Sequence, residues 1–275
     1  MSSPIQVVCP SLFLMGGFVP LTLAQDAKAQ DANIQDAKTG TLKLRVLYDG
    51  EWPVPGKGVA AAKGFCGAAS VIDKSLLVNK ENRGLKNLVV YARQSRRGPK
   101  LPVPEGKPKT LKLLNKNCMF EPHVVVMRSG LDTLEILNPD PDPHNAMIQS
   151  LVKPSENFVI PPGGRKTHQF NKSELTPVQV TCSIHPWMRA YVVAFDHPYV
   201  GVTDENGKVE IHGLPVGLEI TFRGNHESAT KAFAGLGADG NALDWSRNQF
   251  KVKIQPGVND LGTIKLSHKV FGRDK

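Results

Sequence analysis

The stretch TLKLRVLYDG, Thr41 to Gly50, places Leu42, Leu44, Val46 and Tyr48 at every second position and closes on Asp49-Gly50. Side chains of an extended chain alternate between faces, so this pattern predicts a strand with one buried face, followed by a turn. The same reading extends to both sides. Further short runs rich in valine, leucine and isoleucine occur at Asn87–Ala92, Thr110–Leu114, His123–Met127, Thr133–Leu137, Val178–Cys182 and Tyr191–Phe195. Beyond them lie Tyr199–Thr203, Val209–Ile211, Leu218–Phe222, Gln249–Ile254 and Gly262–Leu266, with a Glu205-Asn206-Gly207 turn between. No long stretch holds a 3.6-residue apolar period, and 25 glycines and 21 prolines supply many turns. The expected fold is all-β, a sandwich with Greek-key connections.

The amino-terminal residues differ in kind. Ile5 to Ala24 is mostly apolar or small and ends in Thr22-Leu23-Ala24 before the first charged side chain, Asp26. Residues 1–24 read as a signal peptide, which implies export to a periplasmic or extracellular space. An uncleaved membrane anchor is the alternative, opposed by Pro4, Pro10 and Pro20. Residues 25–40 repeat Gln-Asp-Ala with little to bury and read as a flexible linker. The rest divides into an N-terminal β segment (41–109), a central domain (110–196) and a C-terminal β-sandwich-like segment (197–275). A formal charge of +9 favours partners with an acidic face. The basic residues are scattered, so nucleic acid is not expected. No phosphate-binding G-x-x-x-x-G-K-[ST] motif or H-E-x-x-H occurs, and Gly235, Gly237 and Gly240 lack the strand and helix a dinucleotide fingerprint needs.

The run CSIHPWMRAYVVAF, Cys182 to Phe195, carries the chemistry. It sets a thiol, an imidazole and a thioether at three-residue intervals, Cys182, His185 and Met188, and a second imidazole, His144, stands upstream in NPDPDPHNAM. Two histidines and one thiolate with a distant axial thioether form a blue-copper electron-transfer site. If Cys182 ends one strand and Met188 begins the next, the loop between them folds three donors around one ion, and His144 arrives from a neighbouring loop. Zinc is the rival ion; it accepts Cys and His but gains little from a thioether.

Residues Thr110 to Asp196 resemble amicyanin and the plastocyanin-like cupredoxins, through Cys-x-x-His-Pro-aromatic-Met-Arg, the His144-Asn145 pair and the preceding FEPHVVVMRSGLDTLEILN. The resemblance implies a Greek-key cupredoxin sandwich holding one type 1 copper ion on His144, Cys182, His185 and Met188. It also implies that Asn145 steadies the ligand loops, and that electrons leave through the exposed edge of His185 with Pro186 and Trp187. The Asp140 and Asp142 carboxylates and the PVQVT strand depart from the family pattern. The stretch VTDENGKVEIHGLPVGLEITF, Val202 to Phe222, resembles prealbumin-like and carboxypeptidase-regulatory β-sandwich modules, and the arrangement of the whole chain resembles methylamine-utilisation-like cupredoxin proteins.

Once Cys9 leaves with the leader, Cys66 and Cys118 remain as a pair, read as a disulfide in an oxidising compartment. A second metal site on Cys118 and His123 is the alternative. His168, His197, His212, His226 and His268 are assigned to surface or structural roles. The expected function is one-electron transfer between redox proteins, without enzymatic activity, because no His-x-His pair offers a second, substrate-binding copper. The competing expectation is a secreted structural or surface-binding β protein with incidental metal binding.

Overall fold

A computed structural model describes residues 39–53, 65–68, 71, 73–94, 100–233, 235–237, 245 and 247–272. The expected signal peptide and nearly all of the expected linker lie outside these residues. The exceptions are Thr39 and Gly40, which already belong to the first strand: hydrogen-bonded neighbours on both sides override the weak local pattern. Among the described residues no helix is long and apolar enough to cross a membrane.

The fold is all-β. Its strands in chain order are β1 (Thr39–Asp49), β2 (Val89–Ala92), β3 (Thr110–Lys116), β4 (Met119–Glu121), β5 (Val124–Arg128), β6 (Thr133–Leu137), β7 (His144–Gln149), β8 (Glu156–Ile160) and β9 (Arg165–His168). They continue with β10 (Val178–Thr181), β11 (Arg189–Phe195), β12 (Val200–Val202), β13 (Lys208–Pro215), β14 (Glu219–Asn225), β15 (Gly235–Gly237), β16 (Gln249–Lys253) and β17 (Gly257–Ser267). Four sheets result, ordered β13-β1-β17-β15, β12-β2-β14-β16, β4-β3-β6-β9 and β5-β11-β10-β7-β8.

These sheets form two sandwiches, and the flanking segments of the chain turn out to share one of them. β1 pairs with β13 and, in parallel, with β17; β2 pairs with β12 and β14. The outer sandwich is therefore assembled from both ends of the chain, and the central strands β3–β11 are inserted between β2 and β12. In β1 the alternation read from sequence is realised: Leu42, Leu44, Val46 and Tyr48 all enter the outer core. The 205–207 turn closes on Gly207, at φ +74°, where a Cβ would stand 2.0 Å from the Val46 carbonyl oxygen. Only glycine fits that approach.

The two sandwiches meet through strands buried on both faces. Val90 and Ala92 of β2 point into the outer core, and Val192 and Ala194 of β11 into the inner one. Their alternate neighbours Val89, Tyr91, Val193 and Phe195 pack together with Val124, Val126, Val200 and Val202. The Tyr91 and Phe195 rings lie 4.7 Å apart between centroids. This explains why VVYA and YVVAF read as continuous apolar runs: a strand covered on both sides has no polar face to show.

His226, at the end of β14, illustrates how a buried imidazole is held. Its Nε2 donates to the Lys86 carbonyl (3.2 Å) and its Nδ1 accepts from Ser228 N–H (3.2 Å), so the neutral ring is satisfied and a second proton has no acceptor. Burial pushes its pKa down to about 4. Because the unfolded ring titrates near 6.5, the unfolded chain binds a proton that the fold refuses; the stabilisation is full above pH 6.5 and is lost as pH falls toward 4. The shift corresponds to on the order of 3 kcal/mol. Urea titrations of the metal-free protein at pH 7 and pH 4 should show a smaller acid-induced loss in His226→Gln than in the parent; equal losses would contradict this assignment.

Candidate metal centre

The hairpin from β10 to β11 builds one wall of the site. Thr181 pairs with Arg189, so residues 182–188 form the loop, closed by Cys182 N–H to the Met188 carbonyl (3.3 Å) and Met188 N–H to the His185 carbonyl (2.9 Å). The other wall comes from β7, which pairs with β10 through Thr181 and Met147. His144 is the first residue of that strand rather than part of a loop. The two prolines of the preceding Asp140–Pro143 segment cannot donate to a ladder, and pairing starts as soon as they end. Asn138 shapes the turn before it: its Nδ2 donates to the Asp142 and Ile160 carbonyls (2.9 Å each), and its Oδ1 accepts from Asp140 N–H (3.1 Å).

All four residues expected as ligands are buried: His144 0%, Cys182 1%, His185 3% and Met188 0% exposed. The two imidazoles meet Nδ1 to Nδ1 at 3.0 Å, and the Cys182 sulfur lies 3.8 Å from His185 Nδ1. Met188 shares a packed apolar cluster with Cys182. Asn145 joins the walls. Its backbone N–H points at the Cys182 sulfur (3.4 Å), while its Oδ1 accepts from Ser183 N–H (2.7 Å), Ile184 N–H (3.3 Å) and the Cys182 thiol (3.3 Å). Asn157 Oδ1 fixes the amide orientation by accepting from Asn145 Nδ2 at 2.7 Å.

Asp140 makes contacts at the candidate site that the sequence did not reveal. Its Oδ2 accepts from His144 Nε2 (3.1 Å), which leaves Nδ1, the nitrogen facing His185, with its lone pair. A carboxylate behind a ligating imidazole fixes the tautomer and raises ligand basicity. The same carboxylate also caps Asn117 and Cys118 N–H at 2.8 Å each, so it ties the imidazole to the β3–β4 turn. Burial holds both imidazoles below their usual pKa, against the pull of Asp140 at His144 and reinforced by His144 at His185. Both are neutral at neutral pH, the form that binds a metal.

Cys66 and Cys118 are joined by a disulfide, Cα to Cα 5.5 Å, linking the chain between β1 and β2 to the central sandwich. The alternative metal site on Cys118 and His123 is thereby corrected: the sulfur is bonded to Cys66, and His123 Nε2 is engaged by the Glu227 carboxylate. Cys66 Sγ lies within 4.8 Å of ring nitrogens of His144 and His185, but an oxidised sulfur has no thiolate to offer as a ligand. The expected exposed edge of His185 is also corrected. The imidazole is covered, and Cys66, Val71, Cys118 and Met119 form a small apolar cluster against which Trp187 packs. Pro186 remains exposed and Trp187 half-buried.

No family model and no curated protein matches the chain. Among solved structures, it is similar to a copper(I) variant of amicyanin at 19% identity and TM-score 0.28, covering 34% of this chain and 85% of that one. A reduced amicyanin variant gives 19% and 0.28, covering 31% and 81%. A purple cupredoxin from Nitrosopumilus maritimus gives 21% and 0.26, covering 30% and 97%. At those TM-scores the likeness decides neither fold nor function, and the site rests on its own geometry.

Replacing Asn145 by alanine removes the acceptor for two backbone N–H groups and one thiol. A buried donor left unpaired costs about 1–3 kcal/mol. Asn145→Ala is therefore expected to lower unfolding stability of the metal-free protein by that amount in urea titration, whereas a change within experimental scatter would show that the clamp contributes nothing.

Proposed function

We propose that this chain is an exported type 1 copper protein that carries single electrons between redox proteins, using a cupredoxin-like central domain. The observation that carries the reading is the buried contact of His185 Nδ1 with both His144 Nδ1 and Cys182 Sγ, with the Asn145 N–H aimed at the sulfur. The donor chemistry fits. Two neutral imidazoles and one thiol, with Met188 in the adjoining core, match a site that serves both copper oxidation states. The bound copper would supply one-electron oxidation and reduction.

The chain's own residues define how that chemistry is confined. His144, Cys182, His185 and Met188 would hold the ion. Asp140 holds His144 in one tautomer, and Asn145 keeps the two ligand-bearing walls in register, which limits rearrangement between oxidation states. Cys182 shares a buried apolar cluster with Val180, Met188 and Ala190. Trp187, its ring centroid 5.1 Å from that of His185, links the imidazole to the exposed Pro186, and this pair is the assigned electron exit. The net charge of +9 suits an acidic docking face, and the disulfide suits an oxidising compartment. A single site with its donors supplied by protein leaves no open position for substrate, which favours a carrier over an enzyme.

Addition of copper(II) to the metal-free protein should produce intense visible thiolate-to-copper absorption that disappears on reduction, and Cys182→Ser should abolish it. A parent protein that binds copper but stays colourless would overturn the assignment.

A further inference from the structure

The two sandwiches close on each other along only part of their facing sheets. Val89 and Val193 pack together with their neighbours in the seam, whereas at the Tyr91 and Phe195 end the sheets part and leave an open cleft of about 780 Å³. One wall is the end of β2 with Arg223 of β14; the other is Ser173–Thr176 with Phe195, Asp196 and His197. None of the metal-site residues lines it.

Two buried donors in this cleft have nothing to bond. Arg223 stands directly across from Tyr91 in the β2–β14 pairing, so both side chains leave the sheet on the cleft side. Tyr91 is 3% exposed, and its hydroxyl has no hydrogen-bond partner among the described residues; Arg223 Nε is buried without one as well. A guanidinium accepts no hydrogen bond, so its charge beside the phenol leaves the phenol proton without an acceptor. Burial raises the Tyr91 pKa against the pull of Arg223 and Arg93, which keeps the phenol neutral and its proton in place. Unsatisfied buried donors are costly, and the cost is relieved when a group with lone pairs enters the cleft.

The charge of the lining favours an anion as that group. Arg93, Lys100 and Arg223 line the cleft, and none makes a salt bridge among the described residues; Arg93 Nη1 donates to Gln249 Oε1 at 3.0 Å. Two carboxylates oppose them. Glu174 has its oxygens engaged by the Ser150 hydroxyl and Leu151 N–H, and Asp196 is exposed. His197 is buried and held below its usual pKa by that burial, so it adds no charge at neutral pH. The remaining surface is apolar. The Tyr91 and Phe195 rings lie 4.7 Å apart between centroids, and Leu175 presents a side chain 68% exposed on the opposite wall.

We propose that this cleft binds a small organic anion, its carboxylate held by the Tyr91 hydroxyl, Arg223 and Arg93, and its apolar body lying against Phe195 and Leu175. Clefts of about 300–1,000 Å³ with a few convergent polar groups take small molecules, and a guanidinium matches a carboxylate with two parallel hydrogen bonds.

Calorimetric titration of the full metal-free chain with naphthoate tests this, and leaving copper out keeps the result independent of the copper reading. Naphthoate should bind, and the neutral analogue naphthylmethanol should bind at least about tenfold more weakly, because it brings no charge to Arg223 and Arg93. Tyr91→Phe removes one oxygen and keeps the ring against Phe195; it should weaken naphthoate at least about threefold with no loss of stability to urea, since the lost hydroxyl had no partner in the empty cleft. Arg223→Gln should weaken it at least about tenfold. Failure of naphthoate to bind the parent at millimolar concentration would overturn the proposal, the two donors then being met by solvent alone. Equal affinity for naphthylmethanol would overturn the anion assignment, and an undiminished affinity in Tyr91→Phe would place the ligand elsewhere. Inorganic phosphate binding as tightly as naphthoate would leave a plain anion site and contradict the apolar body.

Discussion

The Asn145 side chain holds the centre together. One amide oxygen gathers Ser183 N–H, Ile184 N–H and the Cys182 thiol, and the backbone N–H of the same residue points at the Cys182 sulfur. Because His144 precedes it on β7, anything that fixes Asn145 also fixes the imidazole relative to the thiol. The loop from Cys182 to Met188 has few hydrogen bonds of its own, and without this acceptor its shape would be set by two backbone bonds between residues 182, 185 and 188. Asp140 repeats the logic one layer out, bonding His144 and the backbone of Asn117 and Cys118 at once. The site is a set of side chains positioned by other side chains on rigid strands, which is what a metal centre of fixed geometry requires.

The rest of the molecule supports that centre from one side. Inserting β3–β11 between β2 and β12 places the central sandwich against an outer one closed by the parallel pairing of β1 with β17. β11 is both the continuation of the ligand loop and the strand whose Val193 and Phe195 face β2. Packing between the sandwiches therefore fixes the strand that follows Met188. Cys66, between β1 and β2, also brings its sulfur within 4.8 Å of ring nitrogens of both imidazoles.

Much of this was legible in the sequence where one strand's own pattern decides its fate. The alternation of Leu42, Leu44, Val46 and Tyr48 gave β1, and the valine-rich runs marked β2, β5, β10 and β11. The short strands β4, β8 and β9 were not legible: Arg165–His168 is largely exposed and polar, Glu156–Ile160 fully buries only Ile160, and both are strands because neighbours pair with them. The sequence also assigned His144 to a loop, since proline and aspartate precede it, whereas pairing with β8 makes it a strand residue. The candidate donors could be named because their residue types and spacing carry the chemistry. The burial of His185 could not, because it depends on contacts between residues far apart in the chain, Cys66 among them. The roles of Asp140 and Asn138 were hidden for a similar reason: an aspartate in a proline-rich turn reads as solvated until the fold places an imidazole and two N–H groups around it.

X-ray absorption at the copper edge of the loaded parent protein tests the central claim most directly. The account predicts one short copper–sulfur bond and two imidazole nitrogens, with the sulfur contribution absent from Cys182→Ser and retained when Cys66 and Cys118 are both serine. A first shell of nitrogen and oxygen alone in the parent, or a sulfur bond that persists in Cys182→Ser, would contradict it.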